Sequence, residues 1–115
     1  MRIKIRPTDK LFSEYLRKKR EYTCGSCKKH YPRGIGLSVS HFYGRRKESV
    51  RFSEINCDIF CFRCAQFFTE NPALYAMWKK EKLGDTEYKK LMVESERLVK
   101  RDDALTMLWL KQITS

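Results

Sequence analysis

The sequence predicts a small α+β domain stapled by zinc, with one helix before the metal-bound core and several after it. Three observations predict this. Two C-x-x-C pairs, Cys24/Cys27 and Cys61/Cys64, stand 33 residues apart. Between them, Leu37-Ser38-Val39-Ser40-His41-Phe42 alternates apolar and polar as a strand does. On both flanks, apolar residues recur at helical spacing.

A chain of 115 residues makes one domain with a modest core, and a chain this short often needs a staple. At 42% hydrophobic residues it is too apolar for a disordered tail. No apolar run approaches the ~20 residues of a membrane span. The basic start, Met1 to Arg6, is followed by no apolar stretch, so it does not read as a secretion signal. The expected compartment is therefore a reducing cytoplasm, where five cysteines point to metal rather than to disulfides.

In chain order, residues 1–8 read as a basic arm ended by Pro7. Thr8 or Asp9 caps a helix whose face is Leu11, Phe12, Tyr15 and Leu16, closed by the cations Arg17 to Arg20. Lys28 to Gly36 is a loop, Tyr43 to Ser49 an exposed basic loop, and Val50-Arg51-Phe52 a short return strand. A short helix is expected from Cys64 to Glu70. Asn71-Pro72 opens the next, which Gly84 stops. Asp85 caps a further helix and Asp102 or Asp103 the last, with Leu105, Leu108 and Trp109 on one face. The expected organisation is an arm at 1–8, a zinc-bound core at 9–70, and a helical extension at 71–115 that packs on the core or forms a dimer interface.

The net charge of +11 lies wholly in the first half. Residues 1–51 carry 15 Lys/Arg against four Asp/Glu, and residues 52–115 carry ten of each. A polyanion partner follows, and nucleic acid is the commonest one. A merely solubilising surface is the alternative.

Four thiolates on two knuckles match the tetrahedral geometry of zinc. Cys24, Cys27, Cys61 and Cys64 leave no open coordination position, so such a zinc is structural. A redox dithiol would need only one pair. Cys57 is left over as a small buried residue, and His30 reads as a loop residue.

The order C-x-x-C, Ser40-His41, then Asn56-x-x-x-x-Cys61-x-x-Cys64 resembles the HNH endonucleases, whose ββα-metal motif is interleaved with a four-cysteine zinc site. Asp9 to Tyr15, Ser40-His41-Phe42-x-x-Arg45-Arg46, Val50-Arg51-Phe52 and Cys61 to Pro72 narrow it. Together they resemble the NinG (Rap) family of phage recombination proteins over roughly residues 9–90. That resemblance implies a ββα-metal (HNH) core and a metal-dependent endonuclease acting on branched DNA such as Holliday junctions or D-loops. It also implies a phage or prophage origin in a bacterial host cell. His41 would be the general base, and Asn56 would hold the loop over the site or bind the ion. Asn56 and His41 would hold Mg²⁺ or Mn²⁺ with a His directly after the second C-x-x-C.

This chain has Ala65 in that last place, with no ligand atom, and Ser40, a weak ligand, where many HNH proteins carry a stronger one. Slow cutting or none is therefore expected, with restoration by Ala65→His. Arg45, Arg46, Lys47 and Arg51 would contact DNA phosphates, and two cuts at a junction would suit a homodimer. The rivals are a non-catalytic zinc-ribbon DNA-binding protein and an adaptor whose C-terminal helices bind another protein.

Overall fold

The computed structural model describes residues 5–114. The expected arm lies partly outside them, at residues 1–4. Pro7, expected to end that arm, instead opens the first helix, α1 (Pro7–Lys19). Its fixed φ suits the first helical turn. Asp9 is the third helical residue rather than the cap, and its carboxylate accepts the Arg6 backbone N–H at 2.7 Å.

The only sheet among the described residues is an antiparallel hairpin, β1 (Leu37–His41) with β2 (Cys57–Cys61). Leu37 faces Cys61, Ser40 faces Asp58 and His41 faces Cys57. Val50-Arg51-Phe52, expected to be the return strand, begins instead in a 3-10 turn at Glu48–Val50. The strand forms later, at Cys57–Cys61, where every residue is buried. Arg51 is the reason: its side chain is drawn into the interior by Asp9, so the apolar-charged-apolar pattern is not an in–out alternation.

Four helices follow: α2 (Phe62–Glu70), α3 (Pro72–Leu83), α4 (Asp85–Ser95) and α5 (Asp103–Thr114). Helix α2 thus begins two residues before the expected Cys64. Gly84 separates α3 from α4 at φ +82°, a conformation that favours glycine. Asp102 caps α5, accepting the Leu105 N–H at 3.0 Å.

The hairpin and α2 form a ββα unit. The core joins Phe12 and Leu16 of α1, Ile59 and Phe60 of β2, Phe68 of α2, Tyr75 of α3 and Leu110 of α5. Helix α5 packs on α1, and α4 packs on the Glu48–Val50 turn, where the Ser49 hydroxyl donates to the Glu94 carbonyl at 2.7 Å. No helix among the described residues is long and apolar enough to cross a membrane.

Candidate functional site

Cys24, Cys27, Cys61 and Cys64 converge at one end of the hairpin, their sulfurs all within 4.8 Å of one another. A tetrahedral zinc with Zn–S near 2.3 Å holds its sulfurs about 3.8 Å apart, and the Cys27 and Cys61 sulfurs are 4.0 Å apart. These four side chains can hold a structural metal such as zinc. The fold builds the site from both sides. Gly25 lies against β2, its N–H donating to the Ile59 carbonyl at 2.7 Å, and a Cβ there would meet that oxygen at 3.2 Å. The Cys61 N–H donates to the Cys24 sulfur at 3.4 Å. Burial alone would raise the Cys61 thiol. The Cys64 backbone N–H and the Tyr31 hydroxyl outweigh it and bring Cys61 down to about 6, while burial and the hydrogen bond with Cys61 push Cys64 up to about 12, so metal binding here would displace a proton from Cys64. Cys57 stands apart, fully buried, its thiol pushed up to about 12 by burial and then by the Asp58 charge.

The residues expected to form a hydrolytic site lie at the other end of the hairpin. His41 Nε2 is 2.8 Å from the Arg51 carbonyl, which can only accept, so Nε2 carries the proton. Nδ1 is left as a lone pair, buried and without a hydrogen-bond partner. Burial, and then the Arg45 charge, push the imidazole down to about 4, so it is neutral at pH 7. Asn56 is fully buried. Its Nδ2 donates to the Tyr43 and Val50 carbonyls, and its Oδ1 accepts the Tyr43 N–H, at 2.9 to 3.1 Å. Asn56 therefore clamps the two ends of the 43–50 loop. Of its two expected roles, the geometry supports the loop-holding one and leaves no amide group pointing outward for an ion.

Ser40 and Asp58, facing each other across the sheet, meet a different set of groups. The Tyr75 hydroxyl donates to Asp58 at 2.6 Å and lies 3.4 Å from the Ser40 hydroxyl. The fully buried Lys79 ammonium is 3.0 Å from both Asp58 oxygens, and Lys82 is 3.0 Å from one. Ala65, half-buried on α2, packs against the core. A catalytic divalent ion does not fit this donor set. Asn56 is engaged by backbone, Ser40 lies in a cluster already neutralised by ammonium groups, Ala65 has no donor, and His41 Nδ1 alone is left unpartnered. The four cysteines are the only group of three or more His, Cys, Asp or Glu ligands gathered among the described residues.

The expected phosphate contacts divide. Arg51 is buried and held bidentate by Asp9, at 3.0 and 2.6 Å, and is corrected from a DNA contact to an internal ion pair. Burial would raise the Asp9 carboxyl, but the hydrogen bonds from Arg51 and the Arg6 N–H, then the Arg51 and Arg45 charges, hold it below its usual value. Arg45 is half-buried, its Nε 3.8 Å from Asp9. Lys47 makes an exposed pair with Glu96 at 3.3 Å, and such pairs contribute little. Arg46 is exposed.

Sequence reasoning missed the Asp58–Tyr75–Lys79–Lys82 cluster. Its signal was a lone acid inside the apolar run Cys57-Asp58-Ile59-Phe60-Cys61, with Tyr75, Lys79 and Lys82 on one helical face. Compared with known proteins, the chain matches no family model, no curated protein and no solved structure.

Proposed function

We propose that this protein is a zinc-stapled ββα DNA-binding domain of HNH architecture that holds DNA through its cationic half and, as the chain stands, does not cut it. One observation carries the binding reading. From Tyr22 to Lys47 there is no Asp or Glu, while six Lys/Arg are present. This stretch includes the first knuckle, β1 and the start of the loop clamped by Asn56; Asp9 and Glu96 pair with Arg45 and Lys47, while Lys28, Lys29, Arg33 and Arg46 stay exposed around the hairpin. A duplex phosphate lattice is complementary to such a surface. The incomplete donor set around His41 supports the absence of cutting.

The test is fluorescence anisotropy on a labelled duplex across a salt series. Affinity should fall steeply with salt and should not depend on Mg²⁺ at constant ionic strength. Replacing Arg45, Arg46 and Lys47 by Ala should flatten the salt slope. A chain that binds no DNA at low salt contradicts the reading.

A second reading, an HNH endonuclease acting on branched DNA, is favoured by the His41 tautomer. A neutral imidazole held at Nε2 by a carbonyl, with Nδ1 unpartnered, is the state a general base needs. Mg²⁺-dependent cutting of a four-way junction that His41→Ala abolishes would select this reading over the first.

A further inference from the structure

Phe62 is 75% exposed, the most exposed aromatic side chain among the described residues. It makes no ring contact with another aromatic there and is not part of the core cluster. Yet it does not sit on a loose loop. It is the first residue of α2, directly after Cys61. Across the sulfur cluster, 4.0 Å from the Cys61 sulfur, is that of Cys27, and Lys28 follows Cys27 directly. The metal site thus brings the Phe62 and Lys28 positions together and holds both.

The surroundings of Phe62 are cationic. Arg63 follows it on the second knuckle, and Lys28, Lys29 and Arg33 follow the first. Lys28, Lys29, Arg33 and Arg63 are all exposed. Lys29 Nζ sits 5.5 Å over the Tyr31 ring, so that cation is steered toward the knuckle. No acid occurs in the chain from Tyr22 to Lys47 or from Ile59 to Thr69, the two stretches that carry the knuckles. Glu81 of α3 lines the cleft that holds Lys28, but neither knuckle stretch carries an acid of its own, and the exposed Phe62 ring lies outside the core cluster.

We propose that the zinc end is a stacking platform for an unpaired nucleobase, with Phe62 as the stacking ring and Lys28, Lys29 and Arg63 holding the flanking phosphates. The inference rests on the DNA-binding reading above and names which part of a DNA the knuckle end takes. An exposed ring between cations is the combination by which proteins hold single-stranded nucleic acid without reading its sequence. A paired base inside a duplex offers no free face, so the platform distinguishes single strands, gaps and frayed ends from intact duplex.

The experiment uses the full zinc-loaded chain, a labelled oligothymidylate of about 16 nucleotides and a labelled intact duplex. Phe62→Ala should weaken oligothymidylate binding about tenfold or more, leave duplex binding nearly unchanged and leave the salt slope unchanged. Phe62→Trp should retain binding. The triple change of Lys28, Lys29 and Arg63 to Ala should weaken oligothymidylate binding and flatten its salt slope. Because Phe62 is outside the core, its variants should melt with the parent chain. Equal affinity of parent and Phe62→Ala for oligothymidylate overturns the proposal, as does an equal loss on both DNAs. Binding of neither DNA by the parent chain overturns the DNA-binding reading, and this inference with it.

Discussion

The two ends of the β1–β2 hairpin differ in what their polar side chains are doing. At the knuckle end, four sulfurs face one another and the fold turns backbone N–H groups toward them, leaving them ready to bind a metal. At the other end, nearly every donor is already engaged. Asn56 is taken by three backbone groups, His41 Nε2 by a carbonyl, Asp9 by Arg51, and Asp58 by Lys79 and Lys82. The difference teaches that residue type and spacing do not by themselves make a metal site. The ligand atoms must also be free of other partners and gathered together; of the ligands expected at the His41 end only His41 Nδ1 is unpartnered, whereas the four knuckle sulfurs face one another.

The largest test of the contrast is metal removal. Zinc at such a site can contribute ~10 kcal/mol or more to folding, so a chelator should unfold the domain. Elemental analysis should find one zinc per chain. A chelated chain with an unchanged melt would break the comparison at its knuckle end.

The next effect lies in the Asp58 cluster. Lys79→Met leaves a fully buried carboxylate with only the half-exposed Lys82 and the Tyr75 hydroxyl beside it. Breaking a buried pair on one side costs about 3–5 kcal/mol, readable in urea melts. Asn56→Ala should cost about 2–3 kcal/mol, because it strands the Tyr43 N–H and the Tyr43 and Val50 carbonyls. A negligible change would mean that the loop is held by something else.

The smallest effect is a pH dependence. The unfolded His41 imidazole takes its proton near 6.5 and the folded one only near 4. Between these values the unfolded chain binds the extra proton. His41's contribution is therefore fully present above about pH 6.5 and is lost as pH falls toward 4. His41→Gln should shrink the stability difference between pH 7 and pH 5. An unchanged difference would mean that His41 is not buried as a neutral base.

The metal-binding end was legible because its information is local: two C-x-x-C knuckles need only their own spacing. The run Pro72 to Gly84 delimited α3 for the same reason, since Pro at the first helical position and Gly past the last act on their own helix. What was not legible depends on partners far along the chain. Arg51 read as a phosphate contact because Asp9, which buries it, stands 42 residues away. Val50-Arg51-Phe52 read as a strand for the same reason. Lys79 and Lys82 carry no local sign of burial, because Asp58, which holds them, stands 21 and 24 residues earlier on β2. His41 and Asn56 were found as residues, but whether their polar atoms were free could be decided only by the loop that folds over them.

The proposed function, a zinc-stapled domain that holds DNA through its cationic half without cutting it, has its sharpest test in one time course. The zinc-loaded chain is incubated with a labelled four-way junction and Mg²⁺, with bound and cut DNA read from the same samples. The junction should be bound and stay intact throughout. Mg²⁺-dependent strand cleavage that disappears in His41→Ala would contradict it.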